Sequence, residues 1–284
     1  MREPETWDKR VVVTPTSFIY NLKQKAETWE VDRQADLFDM EEEIKRFLKA
    51  TDMKEGHPTE AERQIPPPPP EVPIPQDARV FRLPEPGLLP DKEINFLEMV
   101  EMRASVREYN DEALTLQELS FLLWCTQGVK MATENGGTMR TVPSAGARHA
   151  LETYLLVHRV DGIPAGLYRF LALGHALLPI ANGEEADAAL IPGFNAQNMV
   201  KNSAATFLWC ANYRRMNHRY GPRSARYIFL DAGHVCQNLY LAGYTHRIGV
   251  CAIGAFKDDV LNAALGLDGE QDFVVYGATV GKMV

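Results

Sequence analysis

The chain has 284 residues, with 30 Lys and Arg against 38 Asp and Glu, and its formal net charge is −8. This acidic balance argues against a nucleic-acid-binding surface, and a hydrophobic content of 45% is typical of soluble globular proteins. The polar N-terminus has no secretory signal, and no apolar run approaches the ~20 residues of a membrane span. We therefore expect a cytoplasmic protein that binds neither nucleic acid nor a membrane.

The cysteines and histidines predict no metal site. The cysteines lie far apart in sequence and in apolar surroundings, so no CxxC pair is present. A free cysteine in such a setting behaves as a small buried hydrophobe. We expect reduced core thiols at Cys125, Cys210, Cys236 and Cys251. The histidines show no spacing typical of metal ligands.

Residues 1–93 have the sequence features of an N-terminal arm. Hydrophobic side chains recur at helical spacing in two places, which predicts two short amphipathic helices. The first face is formed by Phe18, Leu22 and Ala26, and the second by Leu37, Met40, Ile44, Phe47 and Leu48. Five consecutive prolines, Pro66–Pro70, then predict an extended strap; a ligand for an SH3-type domain is the alternative. The main domain is expected over residues 94–284.

Helices and strands follow each other irregularly in the main domain. Residues Thr115 to Glu118 form a capping box that begins a helix, with Gly128 as its C-cap. Further helices are predicted near residues 95–102, 184–200, 226–247 and 258–265, and strands near 151–157, 166–171, 176–180, 205–211, 249–256 and 273–280. Residues 129–142 have the composition of a loop. This order predicts an α+β fold with helices on both faces of a mixed sheet.

Two short segments point to a cofactor. The string Arg103-Ala-Ser-Val-Arg107 puts two guanidinium groups and a hydroxyl directly after a predicted helix, and guanidinium groups bind phosphate bidentately. The string Pro143-Ser-Ala-Gly146 has only small side chains, so its backbone can approach a flat ring closely. Flavin mononucleotide (FMN) fits both properties best. A dinucleotide or nucleoside triphosphate site is not indicated, because neither a Gly-x-Gly-x-x-Gly nor a Walker motif is present.

Four segments, taken in order, resemble the FMN-dependent nitroreductase-like proteins, and within them the SagB/ThcOx-type branch of peptide azoline dehydrogenases. They are Arg103–Arg107, Pro143–Glu152, Arg226–Phe256 and Val280–Lys282. The resemblance covers roughly residues 94–284. It implies a nitroreductase-like three-layer α-β-α sandwich that works as an intertwined homodimer with the flavin at the interface.

The same resemblance implies roles for single residues at the phosphate end of the flavin. Arg103, Ala104 and Ser105 match the segment on the phosphate and ribityl chain, and Arg107 matches a basic position near the ribityl and pyrimidine end. A cation there suits the negative charge that a reduced flavin carries around N1. Lys282 matches a C-terminal basic residue on the phosphate.

Two further segments are implied to contact the isoalloxazine ring. The loop that reaches the ring from the neighbouring subunit is matched by Pro143, Ser144, Ala145 and Gly146. The strand end whose backbone amide faces flavin N5 is matched by Ile253, Gly254 and Ala255.

The substrate-side residues of the family are matched with one change. Azoline dehydrogenases often have Lys-Tyr-Gly where this chain has Arg219-Tyr220-Gly221. Arginine stays protonated at neutral pH and cannot serve as a general base, so we expect Tyr220 to be the acid/base group. Arg219 is then left to orient a substrate carboxylate or to favour the ionised phenol of Tyr220. The alternative is an ordinary surface loop.

Three functions are compatible with these residues. The first is hydride transfer between flavin N5 and a heterocyclic or peptide-derived substrate, with dioxygen or a nicotinamide restoring the flavin. The second is NAD(P)H-dependent reduction of nitro compounds or quinones. The third is a non-catalytic flavin-binding partner subunit, which the change from Lys to Arg and the long arm motivate.

Overall fold

The computed structural model describes residues 32–52, 58–89, 95–133, 136–195 and 197–284. The chain divides into two compact units, Met1–Asp52 and Met53–Val284. In the first unit, helix α1 spans Asp32–Ala50, where the second of the two amphipathic helices is predicted. The first predicted helix lies outside the described residues. No helix in the described ranges is both long and apolar enough to cross a membrane.

The second unit contains the remaining helices and strands. The helices are α2 Phe96–Met102, α3 Leu116–Gln127, α4 Gly183–Leu190, α5 Asn198–Asn202, α6 Tyr213–Tyr220, α7 Ser224–Thr245 and α8 Asp258–Leu265. The strands are β1 Phe81–Arg82, β2 Val129–Ala132, β3 Thr138–Arg140, β4 Leu151–Val157, β5 Gly166–Leu171, β6 Ala176–Asn182, β7 Ala205–Asn212, β8 Ile248–Ile253 and β9 Asp272–Lys282. The α+β class is confirmed.

The large sheet has the strand order β1-β6-β5-β4-β7-β9-β8, and β2 and β3 form a separate hairpin. Every strand pair of the large sheet that the described residues form is antiparallel, so the prediction of a mixed sheet was wrong. A parallel pair needs a crossover that returns the chain to the same end of the sheet. Here β4, β5 and β6 follow one another as hairpins, and β9 lies between β7 and β8 and runs against both.

Each face of the large sheet has its own hydrophobic core, because successive residues of a strand point to opposite faces. On β4, Leu155 and Val157 belong to the core shared with α3 and α7. Tyr154 and Leu156 belong to the core shared with α4 and α8. Helices therefore cover both faces, which confirms the predicted three-layer α-β-α arrangement.

One segment predicted as a loop and one segment without a predicted element are regular structure. The segment at residues 129–142 contains the hairpin β2–β3, whose strands are too short to show a strand period. The segment before Gly221 is helix α6, and the Asn212 side chain caps it by accepting a hydrogen bond from Arg215 N at 3.1 Å. Its buried side chains include Arg215 and His218. Polar residues on the buried face remove the apolar periodicity by which a helix is recognised.

Residues 58–76, which include the prolines Pro66–Pro70 and are called the strap below, cross the second unit without joining the sheet. Three buried arginines of the main domain hold it through its backbone carbonyl oxygens, which a polyproline chain leaves unpaired. The hydrogen bonds run from Arg215 Nε to Pro69 (2.9 Å), from Arg140 Nη2 to Pro70 (3.2 Å) and from Arg169 Nη2 to Val72 (3.0 Å).

The strap also contacts the inward face of α6. His218 Nε2 donates to Ile65 O at 2.7 Å, and Ala61 N donates to His218 O at 2.9 Å. Arg215 Nη2 pairs with Glu152 Oε1 at 2.8 Å. The helix that carries Arg219 and Tyr220 at its C-terminal end is therefore held from behind by strap backbone.

Candidate functional site

The Arg103–Arg107 segment is fixed to the edge of the large sheet. Helix α2 ends at Met102, and the chain then runs beside β8, where Val106 N donates to Val250 O at 2.9 Å. Ser105 and Arg107 are exposed, and Arg103 is half-buried. The backbone is thus anchored while the polar side chains remain accessible.

Tyr240 of α7 connects this segment with the strand end. Its phenol oxygen accepts a hydrogen bond from Ala252 N at 2.8 Å and lies 2.9 Å from Ser105 Oγ. Because the amide must donate, the phenol proton is available to Ser105. The guanidinium carbon of Arg103 lies 5.3 Å from the centre of the Tyr240 ring. Sequence reasoning missed Tyr240, although it directly follows Leu239 in a segment singled out on α7.

The guanidinium groups of Arg103 and Arg107 have N–H donors that the contacts described here do not use. Arg103 contacts the Tyr240 ring, and Arg107 donates to Ser105 O at 3.3 Å. Neither forms an ion pair with any residue that the structure describes. Two guanidinium groups without a counter-ion, next to a hydroxyl, suit a phosphate dianion. These residues therefore fit the phosphate end of FMN.

The small-residue loop, residues 143–149, has backbone angles that are uncommon for residues other than glycine. Gly146, Ala147 and His149 all have positive φ, at 54°, 53° and 44°. Residues other than glycine enter this region at an energetic cost. Such a conformation persists only where the surroundings hold it.

Asp231 of α7 is the residue that holds this loop. Ser144 Oγ donates to Asp231 Oδ2 at 2.6 Å, and Ala145 N donates to Oδ1 at 3.1 Å. Ser144 Oγ also accepts from His149 N at 2.9 Å. Burial raises the pKa of the Asp231 carboxyl, and the hydrogen bonds from Ser144 and Ala145 act in the opposite direction. Sequence reasoning missed Asp231; the available signal was an acidic residue four positions before Val235, a spacing that places both on one face of the predicted helix.

The loop packs directly against the C-terminal end of α6. A Cβ at Gly146 would collide with the phenol oxygen of Tyr220 and would lie 3.0 Å from Arg219 Cδ. The Arg219 guanidinium carbon lies 5.7 Å from the centre of the Tyr220 ring, and the edge of that ring meets Tyr227 at a centroid distance of 4.7 Å. The structure thus brings the predicted catalytic pair to the predicted ring-contacting loop.

His149 ends the loop and is buried beside three arginines. Burial, followed by the charges of Arg140, Arg148 and Arg215, lowers the pKa of His149 to about 3, against a weaker opposing hydrogen bond to the Thr138 backbone. The imidazole is therefore neutral near pH 7.

The predicted N5-facing strand end lies where β8 ends. Ile253 is the buried last residue of β8, and Gly254 and Ala255 are exposed. Gln197 Nε2 donates to Ala255 O at 2.7 Å. A Cβ at Gly254 would find its nearest neighbour, Tyr276 Cε2, at 3.9 Å, so the chain itself leaves room there for a side chain.

The ammonium of Lys282, the last residue of β9, contacts a carboxylate in this structure, whereas the sequence predicts that it contacts a phosphate. Its ammonium forms an ion pair with the carboxylate of Glu118, which is also the capping-box residue of α3. Its backbone carbonyl accepts from Asn110 N at 3.0 Å. Contact between Lys282 and a phosphate therefore requires the ammonium to share or leave Glu118, and this role stays a prediction.

Three of the four predicted core thiols are buried, and Cys125 is half-buried. Burial raises the pKa of Cys125 to about 11 and that of Cys236 to about 12. Such thiols are poor nucleophiles at neutral pH. In the part of the chain that the structure describes, no group of three or more His, Cys, Asp or Glu side chains is arranged to hold a metal ion.

The sequence matches the nitroreductase family over residues 100–282, which is more than half of the chain. The chain belongs to the nitroreductase family. This family consists of oxidoreductases that generally use a flavin. The two arginines of the Arg103–Arg107 segment lie inside the matched region.

Relatives and solved structures support this membership. A nitroreductase-like protein of Methanocaldococcus jannaschii is 36% identical over 178 residues, which cover 62% of this chain and 87% of that protein. The trifolitoxin-processing protein TfxB of Rhizobium leguminosarum biovar trifolii is 29% identical over 150 residues, which cover 50% of this chain but only 39% of that protein. The crystal structure of a nitroreductase-like protein of Ralstonia eutropha superposes with a TM-score of 0.59 at 26% identity, covering 77% of this chain and 94% of the other.

Proposed function

We propose that this nitroreductase-family protein binds FMN and transfers hydride between flavin N5 and a heterocyclic or peptide-derived substrate, in the manner of SagB-type dehydrogenases. The observation that carries the proposal is the accessible set of Arg103, Ser105 and Arg107, anchored to β8 and α7 through Val106 and Tyr240. Cations without a counter-ion beside a hydroxyl are the donor set that a phosphate dianion requires.

On this proposal, Arg103, Ala104 and Ser105 bind the phosphate and ribityl chain, with Lys282 as a further cation. Arg107 lies toward the pyrimidine edge, where its charge favours the reduced state. When bound, FMN supplies a two-electron acceptor and donor at N5. The backbone of Ile253, Gly254 and Ala255 faces N5, and the loop Pro143, Ser144, Ala145 and Gly146 contacts the ring of the neighbouring subunit.

The substrate side of the site consists of Tyr220 and Arg219. Tyr220 carries a hydroxyl beside Gly146 and serves as the group that accepts or donates a proton at its phenol oxygen. Arg219 stays charged and fixes the substrate or the phenol by its charge. Bound FMN would accept the hydride of the substrate at N5, and the ionised phenol oxygen of Tyr220 would accept the proton.

The proposed homodimer agrees with the apolar surface of α2. Phe96 is 66% exposed and Leu97 is 62% exposed, and no residue of this helix is buried. Exposed apolar side chains in such number mark an interface, and nitroreductases are commonly dimers. A second copy of the chain is the proposed occupant. Light scattering after gel filtration should give twice the mass of one chain, and a monomeric mass would contradict this.

The relationship to a trifolitoxin-processing protein supports a peptide-derived substrate. The relationship to a nitroreductase-like protein supports the second candidate, reduction of nitro compounds or quinones with NAD(P)H. Anaerobic mixing of the flavin-loaded protein with NADH or NADPH separates the two. Rapid loss of the flavin absorption band favours the reductase. Loss of the band only with a thiazoline- or oxazoline-containing peptide favours the dehydrogenase, and a band that neither reagent changes contradicts both.

A further inference from the structure

Two guanidinium groups meet at the small-residue loop. Arg148 Nε donates to Gly146 O at 3.0 Å, and Arg219 Nε lies 3.0 Å from the position that a Cβ at the same glycine would occupy. Arg148 is half-buried. Burial lowers the pKa of Arg148, and the nearby charge of Arg219 lowers it further. The two cations are therefore close enough to repel each other.

Neither cation has a carboxylate partner. Arg215 pairs with Glu152 and Lys282 pairs with Glu118, but no described residue forms an ion pair with Arg148 or Arg219. Arg219 is exposed, so solvent screens its charge in part, but the repulsion still has an energetic cost for half-buried Arg148. An anion that binds between them removes the repulsion and replaces it with attraction.

The position of these cations relates them to the proposed chemistry. The Tyr220 hydroxyl lies next to the same glycine, and the Tyr220 ring packs against the ring of Tyr227. The Nη groups of Arg148 remain unused by the hydrogen bond to Gly146, and guanidinium groups bind carboxylates through paired N–H donors. A carboxylate held by the two arginines would lie next to the proton-transferring tyrosine.

We propose that Arg148 and Arg219 bind a carboxylate of the substrate and so select acidic, peptide-like molecules whose reacting atoms lie beside Tyr220. This inference rests on the proposed function of the site. It makes Arg219 a binding residue and accounts for the presence of an arginine, rather than a potential base, before Tyr220.

The experiment compares N-benzoylglycine with its uncharged amide as probes. Their binding to the purified protein, incubated with FMN beforehand, is measured by calorimetry for the wild type, Arg148→Gln, Arg219→Gln, Arg148→Lys and Arg219→Lys. Arg82→Gln, on exposed edge strand β1, is the matched control.

We expect the acid to bind at least tenfold more tightly than the amide. Each Gln variant should reduce this preference about tenfold, because hydrogen bonds to charged groups have this magnitude. The Lys variants should retain part of it, and the control should retain all of it.

Equal binding of acid and amide, no detectable binding of the acid, or an acid preference that survives in both Gln variants would overturn the inference. Flavin content, read from visible absorption in the same samples, keeps this result separate from the proposed function. A protein that binds no flavin but prefers the acid contradicts the proposed function and supports the arginine pair. A flavin-loaded protein without that preference supports flavin binding and contradicts the binding of a carboxylate by the two arginines.

Discussion

Gly146 and Tyr220 approach each other so closely that a Cβ at the glycine would collide with the phenol oxygen. The φ of 54° at Gly146 also disfavours any other residue. We expect Gly146→Ala to displace Tyr220 and to lower turnover by about 10- to 100-fold, as misplacement of a reacting group does. Steady-state kinetics with a substrate of the proposed class is the measurement. Gly174→Ala, where nothing lies within 4 Å of a Cβ, is the control and should leave turnover unchanged. Equal rates in both variants would contradict the proposed role of this contact.

Ser144 and Asp231 should contribute to stability as a coupled pair. Ser144→Ala removes a hydrogen bond to a buried carboxylate and an acceptor for His149 N. We expect a loss of about 1–3 kcal/mol in the free energy of unfolding. In an Asp231→Asn background the same substitution should cost less, because the partner has already changed. Urea unfolding of the four proteins tests this, and strictly additive losses would show that the pair does not hold the loop.

His149 should make the protein sensitive to mild acid. Its pKa is lowered from 6.5 to about 3 in the folded state, so below pH 6.5 the unfolded chain binds a proton that the folded chain does not. Stability therefore falls as the pH drops from 6.5 toward 3. Between pH 7 and pH 5 this one group accounts for a loss of about 2 kcal/mol. Asparagine tolerates the positive φ at this position, and the pH dependence of unfolding in His149→Asn should be shallower by that amount. Identical slopes for the two proteins would contradict this.

Arg215 should be essential to the attachment of the strap. It is 4% exposed, pairs with Glu152 at 2.8 Å and donates to carbonyl oxygens of Pro69 and His149. Arg215→Met leaves the Glu152 carboxylate buried without its cation, which should cost about 3–5 kcal/mol. Adding Glu152→Gln should recover part of this loss. Urea unfolding is the measurement, and exposed Arg82→Gln should stay within about 0.5 kcal/mol of the wild type. A loss no larger than that control would contradict the proposed anchoring.

Elements with local signals were predictable from the sequence. The capping box of α3 is present in both directions, with Glu118 N donating to Thr115 Oγ1 at 3.1 Å and Thr115 N to Glu118 Oε2 at 2.9 Å. The bounds of β4 and α8 also agree with the hydrophobic pattern. Helix α6 was missed because strap backbone, distant in sequence, satisfies its buried Arg215 and His218. No local rule contains that information.

Residue types in the candidate site were predictable, but their partners were not. Arg103 and Ser105 stand out in the sequence, whereas nothing in the Arg226–Phe256 segment marks Tyr240 as the residue that contacts them. Asp231 is likewise recognisable as a loop anchor only once α7 is folded against the loop. The pairing of Lys282 with Glu118 follows from the meeting of β9 and α3, which a single sequence does not show.

The most direct test of the account is the binding of FMN to the Arg103–Arg107 segment. The purified protein is reconstituted with FMN and freed of excess cofactor, and the bound flavin is quantified by visible absorption and by titration. We predict that the wild type and Arg82→Gln are yellow, and that Arg103→Gln and Arg107→Gln each weaken FMN binding tenfold or more through the loss of charge-assisted hydrogen bonds. A wild-type protein that stays colourless after reconstitution, or arginine variants that bind FMN as tightly as Arg82→Gln, would contradict the account.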